Sequence, residues 1–453
     1  MQWLEQIFLG SLLLSAMPLW SQADNTAPVQ LGVGALDQAR IDDVMLTPAP
    51  VGGQFYPTQV TSEERSNYLR AGVVITGAYT DNVLGSATTH PVSDESYTVG
   101  PMLTLDQTRS RLHLVLTYAP GFTFYQHTSS RNEADQNAAI DVTYRLSPHV
   151  TVSARDGFVK SSNVFDQLTF TPAVSGAAQQ PNFSAIAPIA SILSNSGNVE
   201  IAYQFAANGT VGASGTFTNL HYPNPAQVPG LFDSNSQGGS VFYTHRLSKM
   251  HYIGATYQYQ RLISYPTAGQ SETQTHAVLL YYTLYASPKL SFSFFGGPQH
   301  SETVEPGVGT QFPAVRSWTP AAGASMSWQG RLNSFAMSYS RVISGGGGLI
   351  GAVDINSASA SIRQRFSEKL SGTVAAAYAQ NDLLASALAP GTNGHTVSGT
   401  VSLQREFGQN INVLLGYARL HMNYSTVPVL AATPDTNREF VSISYQFSRP
   451  LGR

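Results

Sequence analysis

The sequence predicts an all-β chain closed into a transmembrane antiparallel up-and-down barrel of roughly 16–18 strands. Three observations predict it. From Tyr68 onward, segments of about ten residues alternate apolar with small polar side chains, the period of a strand with two unlike faces. The connections between segments sort by length, short turns taking turns with long Gly/Pro/Asn/Ser stretches. The polar faces carry Ser, Thr, Gly, Ala and Gln, where a face meeting bulk water would carry Lys and Glu.

Composition points the same way. Of 453 residues, 42% are hydrophobic but only 11% are charged, against about a quarter charged in ordinary soluble domains. Low charge suggests a membrane, yet no internal stretch approaches the roughly 18 unbroken apolar residues of a spanning helix. Lys and Arg number 24 against 27 Asp and Glu, a net charge of -3. That balance speaks against a nucleic-acid partner and supplies no long-range steering field. Cysteine is absent, which removes disulfides, thiolate metal sites and a cysteine nucleophile.

Residues 1–23 read as a cleaved signal peptide. Ile7 to Leu19 form an apolar core too short to span, and Ser21-Gln22-Ala23 place small residues where a signal peptidase reads. The opening "MQWLEQ" departs from that pattern, since it has no basic residue and contains Glu5. Residues 24–65, with Pro28, Pro48, Pro50 and Pro57, lose all periodicity and read as a flexible periplasmic lead-in, too short for a folded plug. The barrel is expected over 66–447, with a C-terminal tail at 448–453.

Strands are expected to start near residues 68, 96, 110, 136, 149, 197, 209, 238, 251, 274, 289, 316, 332, 353, 370, 395, 410 and 437. In "SFAMSYSR" (334–341), Phe335, Met337 and Tyr339 face one way and Ser334, Ala336, Ser338 and Ser340 the other. A repeat marks the short turns: an aromatic or Leu, one to four turn residues, then a new strand, as in "HRLSKMHY" (245–252), "RQRFSEKL" (363–370) and "REFGQNI" (405–411). It recurs about every 40 residues, the length of two strands plus one long loop. The opposite ends rhyme as Tyr259-Gln260-Arg261, Tyr339-Ser340-Arg341 and Tyr417-Ala418-Arg419. The long loops include 221–237, 300–314, 344–352, 382–394 and 424–436. A soluble sandwich also alternates, but nothing in it sorts loops by length.

The chain ends "FVSISYQFSRPLGR". Alternation puts Val441, Ile443, Tyr445 and Phe447 on the lipid face and Ser442, Ser444 and Gln446 on the lumen face. Here the chain resembles bacterial outer-membrane β-barrel proteins of porin-like type, whose last strand is an alternating run ending in an aromatic. The resemblance covers roughly residues 66–447 in architecture and rests on a motif of low specificity. It implies an outer-membrane location, contact with membrane lipid and lipopolysaccharide, and barrel-insertion machinery that reads Val441, Ile443, Tyr445 and Phe447. This chain departs by adding six residues after Phe447, where Pro450 is expected to end strand pairing.

The 22 Tyr, 21 Phe and 4 Trp cluster near strand ends, as aromatic girdles do. Tyr281 and Tyr285 are the candidate lumen contacts, for saccharide stacking, although the turn repeat places Tyr285 with the girdle. Arg261, Arg341 and Arg419 fall on the outward face at the external rim and are candidates for lipopolysaccharide phosphates. The longest connection, 161–194, is the third external loop; in general porins that loop narrows the lumen, and the resemblance implies the same here. It offers only Asp166, with Lys160 before it, so such a constriction is expected to discriminate weakly by charge. No nucleophile, paired-carboxylate or metal-spacing motif stands out, and "SGGGG" lacks the Lys and helix of a phosphate loop. The sequence thus implies no enzyme, cofactor or metal. It implies a channel for passive passage of small polar solutes, saccharides among them, with no energy coupling; the alternatives are a surface barrel with a loop-blocked lumen, adhesive or structural, and a barrel serving polysaccharide export.

Overall fold

A computed structural model describes residues 67–85, 90–161, 191–266, 269–287, 289–304, 314–345, 347–349, 351–384, 393–408, 410–424 and 435–451. The expected signal peptide, the lead-in and most of loop 161–194 lie outside them. Every strand pairs antiparallel with its neighbours in the chain, and the first, Asn67–Thr80, pairs with the last, Asp435–Pro450. The sheet is therefore a closed barrel, without the open edge that lipid would leave unsatisfied. The pieces Leu112–Tyr118 and Gly121–Tyr125 share the same two partner strands, so they form one strand interrupted at Ala119-Pro120. Counted so, the 19 pieces make 18 strands, the upper end of the expected range.

Expected and observed strand starts lie within a few residues of each other. The larger shifts are at the loop end, where Ile192 opens a strand expected near 197 and Ser234 one expected near 238. Strands reach 17 residues, while about 9–11 suffice to cross a bilayer. The extra length stands in water, where "SNSQGG" (234–239) needs no apolar face and reads as loop. One boundary differs for another reason. Pairing continues past Phe447 through Ser448↔Arg70, Leu69↔Arg449 and Tyr68↔Pro450, and Leu451 N–H donates to Asn67 O at 2.8 Å. Proline removes only one donor, so Pro450 closes the strand from within it.

Exposure follows the alternation. Val73, Ile75, Val199, Ile201, Val278, Leu280, Val401 and Ile443 are among the exposed large apolar residues, while their neighbours Val74, Thr76, Glu200, Leu279 and Ser442 are buried. The outside of the barrel is thus an apolar band and the inside a mainly polar wall, which is the lipid–lumen division the sequence predicts.

Candidate functional site: a hydroxyl-lined lumen crossed by two loops

The inner wall is built from cross-strand hydroxyl and amide pairs. Ser214 and Ser240 meet at 2.8 Å, Ser340 and Ser357 at 2.8 Å, Ser338 and Ser359 at 2.9 Å, and Thr283 and Ser293 at 2.9 Å. Gln260 Nε2 donates to Ser236 Oγ at 2.8 Å. Short side chains keep the wall thin, and their paired hydroxyls still offer lone pairs and donors to passing solute.

Charge in the wall is unevenly placed, which composition alone conceals. Buried Asp141 pairs with half-buried Arg155 at 2.8 Å, with Glu200 buried beside Arg155. Near the turn end, strand parity directs Arg70, Arg145, Arg246, Arg363 and Arg365 inward, each two residues from another inward position on its strand. On the neighbouring strands at that level, Asp106 also faces inward and is bonded to His113 at 3.2 Å.

At the loop end, among the described residues, two connections fold inward. Tyr222, Val228 and Leu231, in the loop between Gly209–His221 and Ser234–Arg246, are almost fully buried, as is Leu349 at the tip between Asn333–Gly345 and Ala352–Ser367. They share one apolar cluster with inward Leu414, Leu420, Met422, Tyr424 and Phe440. Those wall residues stand on the opposite side of the ring of strands from Tyr222. The two loops hold each other: Tyr222 Oη donates to Gly347 O at 2.8 Å, and Phe232 N–H to Gly348 O at 2.7 Å. The Tyr222 ring lies so close over Gly348, whose φ is +104°, that a Cβ there would collide with it. Asp233 accepts from Tyr222 N–H at 2.8 Å and contacts His221 Nδ1 at 2.6 Å, stapling the base of the loop. Burial, and then the nearby Asp233 carboxylate, raise the Tyr222 phenol above its ordinary pKa, so it remains a donor at neutral pH.

The candidate residues fall as follows. Ile443, Tyr445 and Phe447 are exposed on the outside and Val441 is half-buried; Ser442 and Ser444 are buried on the inside and Gln446 is half-buried there. Tyr281 does face inward, but it is 2% exposed. Its ring lies flat over Gly254, where a side chain would collide with it, and its hydroxyl bonds to Thr244 Oγ1 and to Tyr243 O. It is part of the wall and presents no open ring face for stacking a sugar. Tyr285 also turns inward, edge-on to buried Tyr252 with ring centroids 5.7 Å apart; strand register and not the turn repeat decides its side.

Arg261, Arg341 and Arg419 stand at the loop end on the outward parity, each engaged by a carboxylate of the next strand. Arg261 grips Glu272 through two bonds at 2.8 and 2.6 Å, Arg341 reaches Asp354 at 2.6 Å, and Arg419 reaches Asp435 at 3.2 Å. The same rim carries Tyr257–His276, Tyr339–Asn356 and Tyr417–Asn437 hydrogen bonds. A lipid phosphate approaching these arginines therefore meets a neutralised pair. Only register reveals the partners, because each acid lies 11 to 16 residues away across a loop.

No protein-family model matches the sequence, and no curated protein matches it. Among solved structures, the chain is similar to Pseudomonas aeruginosa OpdQ at 12% identity and a TM-score of 0.43, covering 85% of this chain and 100% of that one. It is similar to P. aeruginosa OpdK solved with vanillate at 10% identity and a TM-score of 0.42, covering 84% and 99%. It is likewise similar to Acinetobacter baumannii OccAB4 at 11% identity and a TM-score of 0.40, covering 85% and 99%. Its function is therefore argued from its own residues.

Proposed function

We propose that the chain is a porin-like outer-membrane channel for passive passage of small polar solutes, narrowed at its outer side by the Tyr222 loop and the Gly347–Leu349 tip. One observation carries the reading: an outer apolar band encloses a wall of paired serines, threonines and glutamines. Burying so many hydroxyls gains little stability unless the space they face is wet. Saccharides, with hydroxyls of their own, are the solute class such a wall suits, and the apolar loops crossing the lumen make the channel selective by size. Those crossing loops also favour one other reading, a surface barrel whose lumen is blocked.

Planar-bilayer recording of the purified, refolded protein separates the two. Stable open steps in potassium chloride, interrupted by added oligosaccharide, are the expected result; a folded barrel that never conducts overturns the channel reading. The inward arginines add a second expectation. With the turn end facing the periplasm, they make that mouth cationic, and the reversal potential in a salt gradient should show anion preference. Replacing Arg363 and Arg365 with serine should move it toward zero while leaving the barrel folded. An unchanged potential would remove the arginines from the ion path.

A further inference from the structure

The barrel's charges are sorted by end. The short turns, the four strand residues on either side of each, and the paired chain ends 67–70 and 447–450 together form its turn end. They hold 12 of the chain's 24 Lys and Arg but only 3 of its 27 Asp and Glu. Strand parity aims Arg70, Arg145, Arg246, Arg363 and Arg365 at the mouth of the lumen, and Arg70 and Arg365 are exposed there. The five spread around the ring, on the first, fourth, eighth and fourteenth of the 18 strands. They face away from the lipid headgroups that surround the wall. On that outward side Arg405 lies over the Phe407 ring, 5.0 Å from its centroid.

Residues 24–65 have the complementary composition. Asp24, Asp37, Asp42, Asp43, Glu63 and Glu64 stand against only Arg40 and Arg65. This stretch joins the barrel at Asn67, on the turn end of the first strand, next to Arg70 and to Arg449, which pairs opposite Leu69. Glu63 and Glu64 lie just before that junction, while Asp42 and Asp43 lie about 25 residues before it. A chain of that length covers about 27 Å as a random coil. Eighteen strands about 4.8 Å apart, tilted by about 40°, make a ring about 35 Å across. The near acids therefore meet the wall where the chain enters, and the distant acids reach arginines on the other sides of the mouth.

We propose that residues 24–65 dock by charge across this cationic mouth, so that the barrel's own acidic lead-in is the partner the surface fits. Covalent attachment keeps the acids at an effective concentration on the order of millimolar. Each exposed pair contributes little alone; several acting together hold the segment and leave it releasable by salt. The docked segment lies in the path of whatever enters from the turn end and offsets the anion preference of the arginines. The docking itself does not require that the barrel conduct.

The test places a photo-crosslinking residue beside the distant acids, as Val44→p-benzoylphenylalanine, in the full chain. A second protein adds Asp37→Asn, Asp42→Asn, Asp43→Asn, Glu63→Gln and Glu64→Gln, and heat-modifiable mobility confirms that both are folded. Both are photolysed in phosphatidylcholine vesicles at low salt, and the products are mapped by mass spectrometry. The expected result for the first is cross-links to turn-end segments such as 145–151, 246–251 and 363–370. They should fall about tenfold at about 1 M salt, where charges are screened beyond about 3 Å, and as much in the neutralised protein. Cross-links that ignore salt and neutralisation, or that lie only on lipid or on the loop end, overturn the docking. Cross-links that vanish once phosphatidylglycerol is added assign the cationic end to lipid headgroups and overturn it too. Conductance of the same vesicles reports the channel separately: salt-sensitive turn-end cross-links in a barrel that never conducts support the docking and sink the channel alone.

Discussion

Replacing Tyr222 with alanine is expected to raise single-channel conductance and weaken whatever size selectivity the channel has, with the barrel itself intact. The residue is 1% exposed and ties two loops through Gly347. Truncating a buried aromatic costs about 3–5 kcal/mol where the site cannot collapse. Here that loss falls on the contact between two loops and not on the strand ladder, so the loops should separate before the barrel unfolds. Tyr222→Phe removes the hydroxyl alone and leaves Gly347 O without its partner, a loss of about 1–3 kcal/mol; its conductance should lie between wild type and alanine. The measurement is conductance at fixed salt for all three proteins, with heat-modifiable mobility as the check on folding. Three identical conductances would mean that the loops do not lie in the solute path.

The second large effect should distinguish the faces of one strand. Val401 is 52% exposed and faces lipid near the middle of Asn393–Phe407, while Thr400 beside it faces the lumen. Val401→Arg should lower the stability of the refolded barrel in lipid by about 2–4 kcal/mol, the depth-dependent cost of arginine near the bilayer midplane. Thr400→Arg should change it by about 0.5 kcal/mol at most, as a solvated substitution does, while shifting ion selectivity toward anions. Denaturant titration of both variants measures this. Equal destabilisation would show that the lumen at this level is dry.

These two expectations draw on different kinds of information. The Val401/Thr400 contrast was legible in the sequence, because alternation against lipid and water imposes a period of two that no loop can alter. The same period gave the strand starts and the outward side of Ile443, Tyr445 and Phe447. It faded where strands rise above the bilayer: with water on both faces, "SNSQGG" has no reason to alternate, and the start at Ser234 was misplaced. Tyr281 shows a different limit. Its inward side could be read, but not that it lies over Gly254, since that contact joins strands whose register only the ladder sets.

The sequence by itself determined a transmembrane antiparallel barrel, the sorting of turns and loops to its two ends, and the polar character of its inner wall. All three follow from local patterns answering to a solvent that differs on each side of a strand. Which loops enter the lumen and which acid neutralises each rim arginine were decided by the closed barrel. Closure brings Tyr222 within reach of Gly347, 125 residues on, because loops from distant strands meet over one lumen.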